Sequence, residues 1–171
     1  MNNGVKVIDN FLDLKYLEQL QNTCIHGAQF PWYYNESVVY QEKILDNYQF
    51  THMFYNQMVP QSDFYKFLSP ILEQLNILSL IRIKANLIPK NSTIIEHGYH
   101  TDVYDVGVGV IHKTAVLYLN TNNGYTLFRD GTRVNSLANR IAIFDSTMEH
   151  TGTTCTDQKC RVVINFNYFE K

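Results

Sequence analysis

The stretch LIRIKANLI, residues 80–88, decides the fold class. Ile81, Ile83, Ala85 and Leu87 alternate with Arg82, Lys84, Asn86 and Ile88. A period of two sends the two sets to opposite faces of a half-buried β-strand. From about Leu78 onward the chain keeps this character. KTAVLYLN, YTLF, NRIAIFD and RVVINFNYF read as further strands, with turn chemistry in NTNNG, RDG and HTG. Upstream the period changes to that of a helix. A segment from about Leu12 to Cys24 sets Leu14, Leu17, Leu20 and Gln21 near one face. A second helix is expected in SDFYKFLSPILEQL, with Ser62 as its N-cap. Pro70 either kinks that helix or opens a second short segment. Helices first, then many short strands with no helices between them, predict an α+β architecture. Its core is a mainly antiparallel sandwich or barrel with helical packing on one side.

Composition narrows the function classes. The 171 residues are 45% hydrophobic and 18% charged, which suits one globular domain and not a disordered chain. No repeat or Gly/Ser/Pro-rich linker divides residues 1–171. A net charge of -2 without a Lys/Arg run argues against nucleic acid as partner. MNNGVKVIDNFLD lacks the charge and apolar core of a signal peptide, and no apolar run reaches the ~20 residues of a membrane span. Three scattered cysteines fit a reduced, cytoplasmic protein. Cys155 and Cys160 bracket the turn TCTDQKC without further partners and read as ordinary thiols.

The chemistry starts at HGYHTD, residues 97–102. In a strand, His100 and Asp102 share a face, about 6–7 Å apart, and can close on one ion. His97 points the other way unless Gly98 breaks the alternation, which keeps it as the second candidate. His150, in STMEHTG after the strand NRIAIFD, supplies another imidazole or merely a polar residue at the strand end. Two histidines and a carboxylate with open positions form the facial set of non-haem Fe(II) oxygenases. Arg161 opens the apolar strand RVVINFNYF. On the inner face it requires an anion, and a carboxylate matches its planar fork; at a solvated strand start it requires nothing. Val163, Asn165 and Asn167 share its face, which is the more polar one: a ligand pocket or an outer surface.

The ordered set His100-x-Asp102, His150 and Arg161 resembles the 2-oxoglutarate and Fe(II)-dependent dioxygenases, in particular their prolyl-4-hydroxylase-like branch. RIKANLIP, TAVLYLN, GYTLF, RIAIFDSTMEHTG and CRVVINFNYF look like that branch's core strands, over roughly Arg82 to Phe169, and VIDNFLD like its opening strand and helix. The resemblance implies a double-stranded β-helix (jelly-roll, cupin-like) core over about residues 78–171, with a helical part over about 1–77. It implies Fe(II) on His100, Asp102 and His150. It implies 2-oxoglutarate as cosubstrate, with O2, and the distal carboxylate on Arg161. Tyr118 matches the family tyrosine that helps hold that carboxylate, or is a half-buried strand aromatic; Asn165 matches a cosubstrate contact. The implied reaction is hydroxylation of a peptidyl or small-molecule substrate, the other reading being a non-catalytic module that binds a metal or small acid. Val163 stands where some relatives carry a hydroxyl, and Ile88 where some prolyl hydroxylases carry tyrosine, which weakens the transfer of a prolyl substrate, one of the peptidyl targets that the resemblance implies. His26, His52 and His112 read as structural. The segment FPWYYNESVVYQ with Trp32 reads as a packed aromatic cluster or a groove lining.

Overall fold

Along the residues that the computed structural model describes, 4–38, 48–102 and 110–171, short strands dominate. β1 (Lys6–Ile8) leads into α1 (Leu14–Cys24). Then come β2 (Tyr33–Asn35), β3 (Gln49–Asn56) and β4 (Val59–Pro60). A 3-10 turn over Asp63–Leu68 runs into α2 (Ser69–Gln74) and β5 (Ile77–Pro89). The second half is all strand: β6 (Lys113–Tyr118), β7 (Tyr125–Phe128), β8 (Arg133–Asn135), β9 (Arg140–Asp145), β10 (His150–Gly152) and β11 (Cys160–Glu170). The part before residue 77 therefore adds four strands to its helices.

Local chemistry explains the helices. Asp13 caps α1, its carboxylate accepting from the backbone N–H groups of Lys15 and Tyr16 at 3.0 and 3.3 Å. Leu17, Leu20 and Cys24 form the buried stripe at helical spacing. Leu14, expected on that stripe, is 69% exposed, while Leu12 is buried just ahead of the cap. Ser62 caps the 3-10 turn through Phe64 N–H. Pro70 lies in the first turn of α2, where its missing N–H costs nothing, so the second helix is two segments.

The sheets are antiparallel throughout. The larger has the order β1-β9-β6-β11-β5-β3-β2, with β4 added on β3, and the smaller has β10-β7-β8. Ile83 and Ala85 of β5, Leu117 of β6, Ile141 of β9 and Ile164, Phe166 and Tyr168 of β11 pack with Leu17, Leu20, Leu68 and Ile71 of the helical segments. The opposite face of the large sheet meets the small one: Val116, Tyr118, Ala142, Phe144 and Val163 pack with Phe128 and Val134. The polar alternation of β5 and β11 thus divides two interiors. Along β5 only Leu78 and Ser79 are exposed. Hence Arg161 is not at a solvated strand start; it is 2% exposed, inside the fold. No helix among the described residues is long and apolar enough to cross a membrane.

Candidate metal and anion site

Residues 97–102 do not form the regular strand that the parity argument assumes. Between β5 and β6 the described residues contain only the isolated bridges Glu96 to Thr153 and His100 to His150. Gly98 turns the chain at φ +28°, a conformation that side chains oppose. His100 and Asp102 nevertheless converge, because each is held from outside its own segment. His100 exchanges two backbone hydrogen bonds of 3.0 Å with His150, the first residue of β10. Asp102 accepts from Asn167 Nδ2 at 3.3 Å through Oδ2, and its Oδ1 lies 3.5 Å from Arg82 Nη2. Arg82 Nε also donates to Asn167 Oδ1 at 3.0 Å, and Asn167 donates to Thr114 at 3.0 Å. The carboxylate is therefore fixed by three strands of the large sheet.

Both imidazoles are oriented through their Nδ1 atoms. His100 Nδ1 lies 3.2 Å from the Gly98 carbonyl and His150 Nδ1 3.1 Å from the Met148 carbonyl. A carbonyl only accepts, so Nδ1 carries the proton and Nε2 presents its lone pair. Those Nε2 atoms stand 3.7 and 4.0 Å from Asp102 Oδ1, too far for hydrogen bonds. The three potential ligand atoms lie within 4.8 Å of one another. Phe144 and Phe128 pack on the His150 ring, with centroids 4.8 and 5.9 Å away. Burial, followed by the charge of His150, pushes the His100 pKa down. Burial opposes the Asp102 charge, but His150, Arg82, His100 and Lys84 outweigh it and hold the carboxyl far below its usual range. Two inward-facing Nε2 atoms beside an ionised carboxylate suit a divalent transition-metal ion. Among the described residues this is the one cluster of His, Cys, Asp and Glu side chains spaced for a metal, and no cysteine belongs to it.

His97 goes elsewhere. It is fully buried, and neither ring nitrogen has a hydrogen-bond partner among the described residues. Burial first, and then the charges of Arg161 and His100, push its pKa down to about 4.

Arg161 occupies the far end of the same cavity. Nε donates to Ser136 Oγ at 2.8 Å and Nη2 to Thr126 Oγ1 at 3.1 Å. Its neighbours are neutral, and no carboxylate pairs with it among the described residues. Burial accordingly pushes its pKa down. Gly124 is required beside it, since a Cβ there would come within 2.8 Å of Arg161 Cδ and of the Thr154 carbonyl. Tyr118, also fully buried, packs beside the guanidinium, its ring centroid 5.5 Å from Cζ and its hydroxyl donating at 2.8 Å to Thr126 Oγ1, which also accepts from Arg161. The cavity wall also carries Lys84, Asn86, Thr126 and Asn165, with Ile88, Val116 and Val163 as apolar lining. Asn165 Oδ1 is buried without a partner among the described residues.

Ser136, Thr126, Arg82 and Lys84 were not singled out from sequence as site residues, whereas Asn167 shared the pocket-lining parity of Arg161 and does meet Asp102. The signal for two of the four was present: Arg82 and Lys84 share one parity of β5. Ser136 and Thr126 carry no signal, because only the packing of the small sheet brings them to Arg161. The remaining histidines fall outside the site. His52 bonds the Pro31 carbonyl at 2.8 Å and Ser62 Oγ at 2.9 Å and packs on Phe30. His26 is exposed and His112 is buried against Phe169. Trp32 donates to the Cys24 carbonyl at 3.1 Å and is a packing residue, while Tyr33 and Tyr34 beside it are exposed.

No protein-family model and no curated protein matches the sequence. Solved structures do resemble the fold. A Pseudomonas putida prolyl-4-hydroxylase superposes with a TM-score of 0.67 at 16% identity, over 98% of this chain and 93% of that one. A Trichoplax adhaerens prolyl hydroxylase, in complex with a hypoxia inducible factor peptide fragment, gives 0.69 at 14% identity, over 98% and 84%. The epimerase SnoN, in complex with Fe3+, alpha ketoglutarate and nogalamycin RO, gives 0.66 at 13% identity, over 98% and 79%. The chain thus has the double-stranded β-helix fold shared by prolyl-4-hydroxylases and other 2OG-Fe(II) oxygenases.

Proposed function

We propose that this chain is a 2-oxoglutarate- and Fe(II)-dependent dioxygenase that hydroxylates a C–H bond of a peptidyl or small-molecule substrate, with release of succinate and carbon dioxide. One observation carries the reading. A buried guanidinium without a carboxylate partner and a His-Asp-His cluster face the same cavity. An unpaired buried charge is costly, and a ligand carboxylate removes that cost. His100, Asp102 and His150 would hold the metal, through two Nε2 atoms and a carboxylate oxygen. Fe(II) bound there supplies dioxygen activation coupled to oxidation of the keto acid.

The protein's own contribution is binding and orientation. Arg161, steadied by Ser136 and Thr126, takes the distal carboxylate in its planar fork. Tyr118, which shares Thr126 with the guanidinium, helps hold that carboxylate end in place, and Asn165 offers an amide to the bound cosubstrate. Val116, Val163 and Ile88 keep water from the middle of the cavity. Fold-mates include one complex with a peptide fragment and one with nogalamycin RO, so the scaffold takes substrates of both kinds. Ile88 and Val163 give no support to a prolyl target in particular.

The test is succinate release from purified protein supplied with Fe(II), 2-oxoglutarate, dioxygen and a library of peptides and metabolites. Release that depends on Fe(II) is the expected result. Tight Fe(II)-dependent binding of 2-oxoglutarate with no turnover across the library would instead identify a non-catalytic binding module. Absence of such binding would remove the basis of the reading.

A further inference from the structure

Two cations enter this cavity without a counter-charge of their own. Arg161 is one; the other is Lys84, in the middle of β5. Two residues earlier on the same face, Arg82 is already engaged with Asp102 and Asn167. The Lys84 ammonium has no ion pair and no hydrogen bond among the described residues. On the same strand face Arg82 lies two residues one way, its register partner Asn167 donating to Asp102, while Arg161 pairs with Ile88 four residues the other way, so Lys84 belongs to the metal-ligand end. Burial pushes its pKa down to about 8, the mark of a charge removed from water.

Sheet register fixes the distance between the two cations. Lys84 pairs across the sheet with Asn165, and Ile88 pairs with Arg161. The two cations therefore stand four residues apart along the sheet, about 13 Å between backbones, and long side chains close part of that gap from both ends. Asn86 lies between them and Asn165 directly beside Lys84, each with a buried Oδ1 that lacks a partner among the described residues. Arg82 is matched by Asp102, which leaves Lys84 and Arg161 as two unmatched cations of the cavity. That arrangement suits a ligand that is itself a dianion with its charges at opposite ends.

We infer that Lys84 is the second carboxylate anchor of the cavity: its ammonium binds the carboxylate at the keto-acid end of 2-oxoglutarate, beside His100 and Asp102, while Arg161 binds the distal one. The inference rests on 2-oxoglutarate being the cosubstrate, as proposed above.

Anaerobic titration calorimetry on the Fe(II)-loaded protein tests it, with 2-oxoglutarate and with 2-oxopentanoate, which keeps only the keto-acid end. Lys84→Met and Lys84→Gln are run side by side, so that a folding defect in one does not decide the outcome. Each is expected to weaken both ligands by the same factor, about 10- to 100-fold. Lys84→Arg is expected to restore most of the loss. Arg161→Met is expected to weaken 2-oxoglutarate alone. Wild-type affinity for both ligands in the Lys84 variants, with 2-oxoglutarate lost in Arg161→Met, would overturn the Lys84 assignment and leave the cosubstrate reading standing. Failure of the wild-type protein to bind either ligand would overturn both.

Discussion

Val162, Ile164, Phe166 and Tyr168 on one face of β11 close into the hydrocarbon core under the helices. Arg161, Val163 and Asn165 on the other face are almost equally hidden from bulk water, yet look into a cavity with polar atoms to satisfy. Burial is thus the same quantity on both faces and means different things. On the helix side it is hydrophobic free energy that holds the chain folded. On the cavity side it desolvates charges, which weakens the empty protein and strengthens whatever ionic ligand it receives.

Substitutions can break this contrast. The largest effect is expected at the metal cluster: His150→Ala should abolish Fe(II) binding in equilibrium dialysis, while His97→Ala leaves it nearly intact. Equal losses would show that His97 belongs to the ligand set. On the helix side, Phe166→Ala should cost about 3–5 kcal/mol of unfolding free energy in denaturant titration. A loss under ~1 kcal/mol would mean that this face is not the stabilising one. Next comes an acid limb in the metal-free protein. The unfolded chain protonates His97 near 6.5, whereas the folded protein does so only at about 4. Between these values the unfolded state holds more protons. The stability from this residue is therefore complete above pH 6.5 and lost as pH falls toward 4, by about 3 kcal/mol in all. His97→Leu should flatten that limb, and an unchanged slope would assign it to other groups. The smallest stability effect belongs to Arg161→Met. Without ligand the variant should unfold within ~1 kcal/mol of the parent, or be more stable, because an unpaired buried charge has gone. A loss above ~2 kcal/mol would make Arg161 a structural residue instead of a ligand anchor.

Much of this plan was legible in the sequence, and the reasons differ by region. The alternation in LIRIKANLI and RVVINFNYF is dictated by backbone geometry, so the two faces could be assigned before any partner was known. What lay beyond each face could not be read, because a polar stripe looks the same whether it meets water or a ligand cavity. His100 and Asp102 were paired by strand parity although no regular strand exists there. The pairing holds through Asn167, Arg82 and the His150 backbone, all distant in sequence. Leu14 satisfies the helical spacing and still faces solvent, since spacing defines a stripe but not where it ends. Tyr118 was matched to a tyrosine that helps hold the cosubstrate carboxylate; that its hydroxyl meets Thr126 beside the guanidinium depends on the small sheet.

The reciprocal backbone pair between His100 and His150 ties residues fifty positions apart into a single rung. Closing that loop is an entropic cost that folding itself covers. An incoming ion therefore meets two imidazoles already gathered, which separates this site from small domains whose metal drives folding. A chelator should strip the ion while the sheets stay intact, and the emptied protein should take metal back without refolding. Loading would then be governed by how much free iron surrounds the chain, not by when the chain was made.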